Sequence, residues 1–445
     1  MIITIKQAED LIYQSYLNAR ARLPEADDSV TRRPELTRQL LDMLGSPDKA
    51  IKSIIVTGSK GKGSTARMIA AILSHHGLKV GLFTSPHLIH FNERIRVDGY
   101  PITEEDFITM MNRVARPLTE IQNKLTGHHY VGPVGIALAA ATLYFKEKKT
   151  DINVFECGRG GTFDDVNVID NEWAVITPIM KEHLGPLGRT LDDIIAHKIG
   201  IVKDMTKVVL VQRQPPEIVE AIKKKLSDSK RKHFFGANHF YPAHVQMNKN
   251  GLTFQIITDR FQYDNIYLPL LGRFQADNAA LAVKTCETIL ENKLQPTIVT
   301  NSFKSLFWSG RMEIVQEKPM ILIDGAINEE SALFTKDTVD MLNPGKVVSV
   351  IAVPEDKDYR GVIKVCSEFS DQIVITKPDS SHKQFPDDAY PFACGLHRDV
   401  YHFHLLSTFI KEMDQFQFDL LLFIGTQTFI GNVKKLLQSI TIETG

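Results

Sequence analysis

The stretch Ile54–Thr65, IIVTGSKGKGST, leaves this chain few options. The β-branched run Ile54, Ile55, Val56 gives way to a loop holding Gly58, Gly61 and Gly63. A helix is expected to open at about Ser64 and run to Gly77, because Met68, Ile69, Ile72 and Leu73 share one helical face. Glycines let backbone N–H groups approach phosphate oxygens, and a helix N-terminus adds partial positive charge. Lys62 is spaced to reach terminal phosphates and Ser64 to ligate Mg²⁺. The strict P-loop pattern is not met, since Gly63 stands between Lys62 and the Ser64 hydroxyl. A ligand-free glycine turn is the plainer alternative, but the place between apolar strand and amphipathic helix favours nucleotide binding.

A chain of 445 residues has room for two or three domains, each with a real core. Its 24% charged and 43% hydrophobic residues are ordinary for a soluble globular protein. A net charge of −1 offers no footprint for nucleic acid or an anionic membrane surface, so neither partner is expected. Cys157, Cys286, Cys366 and Cys394 are scattered without a CxxC pair, which fits a reduced compartment. The start, MIITIKQAEDLIYQSYL, lacks a leader pattern, and no apolar run is long enough to span a bilayer. A soluble, cytoplasmic protein is expected.

Along the chain, residues 6–22 and 32–47 read as helices, the second closed by Gly45 and Pro47. Apolar strands are expected within 78–88, 152–158, 172–179 and 207–213, with helices from Thr103, over 132–149 and over 190–203. Strand and helix in alternation indicate an α/β domain with a mainly parallel sheet. Residues 234–270 read instead as antiparallel strands about an Asn250–Gly251 turn, followed by a helix over 272–293. A second α/β unit follows, with strands at 319–325, 346–353, 371–376 and 419–425. The boundary is placed in SLFWSGRMEIV, giving domains 1–308 and 309–445.

Ser85, Glu156, His183 and Lys198 fall at strand ends or adjacent turns of the first domain. Ligands collect outside the carboxyl ends of parallel strands, so these residues are candidates to converge on the phosphate loop. Ser85, Glu156 and His183 offer oxygen donors and an imidazole suited to anchoring a metal beside phosphates. Each also has a bland use: a turn serine before proline, a salt-bridge glutamate, a solvated histidine.

The ordered motifs RRPELTRQLLDMLGSP, VTGSKGKGST, GLFTSPHLIHFNERIRVDG, FECGRGGTFDDVNVI, EHLGPLGRTLDDIIAHKIGIVK, LLGRFQADNAALAV, WSGRMEIV, DGAINEESA, PEDKD and LLLFIGTQTFIGNVK span nearly the whole chain. Together they resemble the folylpolyglutamate synthase/dihydrofolate synthase family of the Mur ligase superfamily. The resemblance implies a P-loop ATPase domain with a mainly parallel sheet and a smaller Rossmann-like C-terminal domain. It implies an ADP-forming amide ligase that uses ATP and Mg²⁺ to join a small carboxylic acid to an amine, most simply glutamate. It also implies a monomer.

By the same resemblance Gly58, Ser59, Lys60, Gly61, Lys62, Gly63 and Ser64 hold the ATP phosphates. Asn278, Arg311 and Asp324 match positions for adenine, phosphate and ribose. Ser64, Ser85, Glu156 and His183 match metal positions, and Lys198 matches a lysine that carries a carbamate beside Mg²⁺. Lys62, Glu156, His183 and Lys198 are thereby the expected catalytic group. Departures cluster near the substrates: Ile327 and Phe274 replace family histidines, Thr162 replaces an arginine, and Glu182 replaces an aspartate. Compensated drift in a folate enzyme, a paralogue for another acid and amine, and a nucleotide-binding regulator are the three readings, the paralogue slightly ahead of the folate enzyme on substrate grounds.

Overall fold

The computed structural model describes residues 1–227, 230–379, 381 and 383–443. Eight strands form its larger sheet: β1 (Lys52–Thr57), β2 (Val80–Phe83), β3 (Ile95–Val97), β4 (Tyr100–Pro101), β5 (Ile152–Glu156), β6 (Trp173–Ile176), β7 (Val208–Val211) and β8 (Lys232–Phe235). Their order is β4-β3-β2-β5-β1-β6-β7-β8, with β3 and β4 antiparallel at one edge and the rest parallel. Central strand β1 shows why. Ile54 and Val56 pack in one core with Met68, Ile69 and Ile72 of helix Lys62–His75. Ile55 packs in the opposite core with Ile136 and Ala140 of helix Pro133–Lys148. Apolar cover on both faces is what a parallel sheet requires.

A second, antiparallel sheet follows: β9 (Phe240–Asn248), β10 (Gly251–Thr258) and β11 (Gln262–Leu268). Its hairpin turn is Lys249–Asn250, and Gly251 opens β10 with φ of 137° instead of sitting in the turn. This sheet lies on helix Phe274–Ile289, where Tyr263 donates to buried Glu287 at 2.8 Å and Lys284 donates to the same carboxylate at 3.0 Å. Helix Phe274–Ile289 in turn shares a core with helix Lys62–His75.

The third sheet holds β12 (Glu313–Glu317), β13 (Met320–Asp324), β14 (Val347–Ala352), β15 (Gln372–Ile375), β16 (Val400–His402) and β17 (Leu420–Gly425). The order is β12-β13-β17-β14-β15-β16, all parallel except β12. Again both faces are covered: Leu422 and Ile424 meet Val362 and Ile363, while Leu421 and Phe423 meet Phe429 and Ile430. Leu88, from the loop after β2, belongs to this second core, and Gly431 lies so close that a Cβ there would stand 2.1 Å from the Leu88 carbonyl oxygen.

Strands β3, β4, β8, β12 and β16 lie outside the apolar runs from which strands are expected; they are edge or half-exposed strands such as Val400–His402. Among the described residues no helix is long and apolar enough to cross a membrane.

Candidate active site

The phosphate loop joins β1 to helix Lys62–His75, which opens two residues earlier than expected because Gly61 itself is the N-cap, at φ 81°. No side chain caps this end, so its amides are free to face a phosphate group. Gly58 has φ 138°, and a Cβ there would overlap the Thr177 hydroxyl at 2.0 Å. A Cβ on Gly61 would meet Asn278 Oδ1 at 2.6 Å. At Gly63 the crowding comes from both sides, Glu156 Oε2 at 3.2 Å and the Trp308 ring at 3.3 Å. Ser59 fastens the loop to the neighbouring segment: its N–H donates to Pro178 O and its hydroxyl accepts from Met180 N at 2.9 Å.

Lys62 folds back, donating to Gly58 O at 2.9 Å and Ser59 O at 3.3 Å. Burial lowers the Lys60 pKa to about 8, against the pull of Glu182 and Asp324. Lys198, fully buried on helix Leu191–Ile199, donates to Gly58 O at 2.8 Å, Arg159 O at 3.1 Å and Glu182 Oε1 at 3.2 Å. Burial lowers its pKa to about 8 as well, which brings the neutral, nucleophilic amine within reach near neutrality. Burial opposes ionisation of Glu182, but Lys198 and Lys62 outweigh it and hold the carboxyl below its usual range.

His183 sits at φ 50° in the turn after β6, with Lys357 Nζ 3.4 Å from Nδ1. Burial, then Lys357, drives its pKa down to about 3, so the ring is neutral at physiological pH and has a lone pair to offer.

Near Gly63, Glu156 ends β5 almost wholly buried, its carboxylate accepting one hydrogen bond, from Ser85 N at 2.9 Å, among the described residues. Burial raises its pKa despite Lys62 and Arg311. A buried carboxylate facing an uncapped glycine loop is what a cation beside phosphate would meet, so the site fits Mg²⁺ with a nucleotide. Ser85 and Glu156 thus stand together near Gly63, while His183 and Lys198 stand with Glu182 near Gly58. No group of three His, Cys, Asp or Glu side chains is arranged to hold a metal among the described residues. Any metal there would draw on hydroxyls, phosphate oxygens and water as well.

The third sheet's strand ends complete the cleft. Asp324, ending β13, accepts from Met312 N at 3.1 Å and Thr335 Oγ1 at 3.0 Å, and burial raises its pKa. Arg311 lies between the charges of Glu156 and Asp324, with burial lowering its pKa. Asn278 is held by Gln212 at 3.0 Å and Gln275 at 2.9 Å, with Oδ1 against Gly61. The positions read from sequence are therefore grouped around the phosphate loop.

Sequence reasoning passed over Trp308, Lys357 and Arg67. Trp308 packs on Gly63 with its indole N–H unpaired among the described residues, and Lys357 crosses the cleft to His183. Arg67, Arg96, Trp308, Arg311 and Lys434 line a groove of about 410 Å³ beside Pro86 and Leu88. Burial and Arg96 lower the Arg67 pKa to about 10. The signal for Arg67 was present, a lone arginine on the apolar helix after the phosphate loop. Arg96 and Lys434 could be joined to it only by the fold.

Residues 56–286 match the Mur ligase middle domain. The dihydrofolate synthase/folylpolyglutamate synthase of Bacillus subtilis (strain 168) is 32% identical over 362 residues, 79% of this chain and 83% of that protein. The enzyme of the same name from Mycobacterium tuberculosis (strain ATCC 25618 / H37Rv) is 30% identical over 413 residues, 88% of this chain and 82% of that one. A solved Mycobacterium tuberculosis folylpolyglutamate synthase, complexed with ADP and AMPPCP, superimposes with a TM-score of 0.84 at 26% identity, covering 96% of this chain and 98% of the other.

Proposed function

The chain belongs to the folylpolyglutamate synthase/dihydrofolate synthase family of Mur ligases, and from that premise we propose that it joins glutamate to a folate-type carboxylate. It is an ATP-dependent acid–amino-acid ligase. The substrate carboxylate attacks the γ-phosphorus of ATP to give an acyl phosphate and ADP, and the amine then displaces inorganic phosphate to form the amide.

The observation that carries the folate reading is the basic groove. Arg67, Arg96 and Arg311 offer three positive charges against Glu93, with Lys434 beside them paired to Glu313 at 2.7 Å, around a space of about 410 Å³ that opens beside the phosphate loop. Trp308 and Pro86 give it apolar walls, suiting an acid that is flat at one end and carboxylated at the other.

In this reading Lys62 leaves the Gly58 and Ser59 carbonyls for the transferring phosphoryl group, and the loop amides spread its charge. Mg²⁺, held by Ser64, Ser85 and Glu156 with His183 near a second position, would neutralise charge between the phosphates. Lys198 takes up CO₂ as a carbamate, for which its lowered pKa and its place at the Gly58 carbonyl qualify it. Asn278, Arg311 and Asp324 hold adenine, phosphate and ribose. Residues 1–308 and 309–445 act as separate domains that close on the cleft and keep water from the acyl phosphate. The working form is a cytoplasmic monomer acting on small molecules, with neither nucleic acid nor membrane as partner.

A second reading rests on Phe274 and Ile327, apolar where the family carries histidine. Phe274 packs on Phe334 with ring centroids 5.2 Å apart, an apolar contact where a histidine would bring a ring nitrogen. A paralogue using another acid and amine follows from it. ADP release with Mg²⁺-ATP decides: turnover with tetrahydrofolate plus glutamate supports the folate reading, and turnover only with other acid and amine pairs overturns it. ATP binding without turnover for any pair would leave the regulator reading.

A further inference from the structure

A second cavity, of about 200 Å³, lies in the C-terminal unit at the carboxyl ends of β14, β15 and β16. Open parallel sheets bind ligands at this edge, yet none of the residues assigned to the ligase reaction lines the cavity. Three cation-capable side chains face it, Lys377, His402 and His404, opposed by the carboxylate of Asp387. Its walls are aromatic and aliphatic, with Tyr390 stacked on the His402 ring at 5.3 Å and His402 edge-on to His404 at 5.0 Å.

Thr376 points to an occupant. It is 5% exposed and lines the cavity, and its Oγ1 has no hydrogen-bond partner among the described residues. A buried hydroxyl left unpaired costs about 1–3 kcal/mol, so such groups normally meet a protein, water or ligand partner. Nor do Lys377 and Asp387 side chains make a hydrogen bond or ion pair with any described residue.

We propose that this cavity binds a free zwitterionic amino acid, its carboxylate on Lys377, His404 and the Thr376 hydroxyl, its ammonium on Asp387, and its side chain against Phe385 and Phe403. The volume admits a molecule of amino-acid size and little more. A lining that carries both cationic and anionic side chains selects a zwitterion over a plain anion. The site is separate from the ligase cleft, and its assignment does not depend on which acid and amine the enzyme joins.

The test uses the full chain labelled with ¹³Cε1-histidine, the His402 and His404 signals being assigned with His402→Asn and His404→Asn. L-Leucine, L-glutamate and inorganic phosphate are titrated to about 10 mM. The expected result is a saturable shift of both signals with an amino acid, weakened about tenfold in Lys377→Ala and in Thr376→Val. Lys377 is exposed, so its variant keeps the fold and serves if Thr376→Val does not. No shift with either amino acid, an equal shift with phosphate, or an undiminished shift in Lys377→Ala would each overturn the assignment. The readout is independent of turnover, so it stands or falls apart from the choice of acid substrate.

Discussion

Lys62 and Asp165 show how far single side chains answer to their surroundings. Among the described residues Lys62 donates hydrogen bonds only to backbone carbonyls, those of Gly58 and Ser59, while its charge acts on buried Glu156 and on Glu182. Lys62→Ala is expected to fold, with Glu156 pushed further toward its neutral form by the loss of that counter-charge, while ADP release falls about a thousandfold; steady-state kinetics beside a thermal melt checks both halves. Asp165 is the opposite case, a titrating group outside the proposed chemistry. Burial raises its pKa from 3.8 to about 6, in spite of Arg32 and a 2.7 Å hydrogen bond from Thr37. The folded chain thus binds more protons than the unfolded one between about pH 4 and pH 6. Its contribution is fully present below that window and is lost as the pH rises through it. Asp165→Asn, which cannot ionise, should gain on the wild type from pH 4.5 to pH 7.5, by about 2 kcal/mol at most. Melts across that range with a constant difference would contradict this.

Among the elements, the loop after β2 ties the two large sheets together. Leu88 is buried in the core formed by Phe423, Phe429 and Ile430, while Ser85, three residues earlier, donates its N–H to Glu156. Leu88→Ala should cost about 2–3 kcal/mol and should raise KM, because the same loop flanks the basic groove; a denaturant midpoint within error of the wild type would show that the sheets hold without it. The elements also differ in how plainly they are written in the sequence. Two-faced apolar strands such as Ile152–Glu156 and Leu420–Gly425 stand out, because burial on both sides leaves a continuous hydrophobic run. Val400–His402, half-exposed at a sheet edge, carries no such run. The helix after the phosphate loop begins at Lys62 and not Ser64 because Gly61 supplies the left-handed N-cap, a conformational fact without a periodic signal.

For the molecule as a whole, the cleft is where local and long-range information part. The glycine loop could be read from spacing alone, Ser85, Glu156, His183 and Lys198 from their places at strand ends, and Asn278, Arg311 and Asp324 from the family resemblance; the fold gathers them around the loop. Trp308 over Gly63, Lys357 beside His183, and the union of Arg67, Arg96 and Lys434 depend on two sheets presenting their carboxyl ends to each other, and no local pattern encodes that. The electrostatics follow the same logic. Lys60 and Lys198 are lowered to about 8 because the cleft buries cations in advance of a polyanion. The central claim, that this cleft passes a phosphoryl group to a carboxylate before the amide forms, is tested most directly by isotope transfer. The acid that supports ADP release is supplied with ¹⁸O in its carboxylate, with glutamate or the active amine and Mg²⁺-ATP, and the released phosphate is analysed by mass. One ¹⁸O per phosphate formed is the predicted result; phosphate free of label, with amide still produced, would contradict the account.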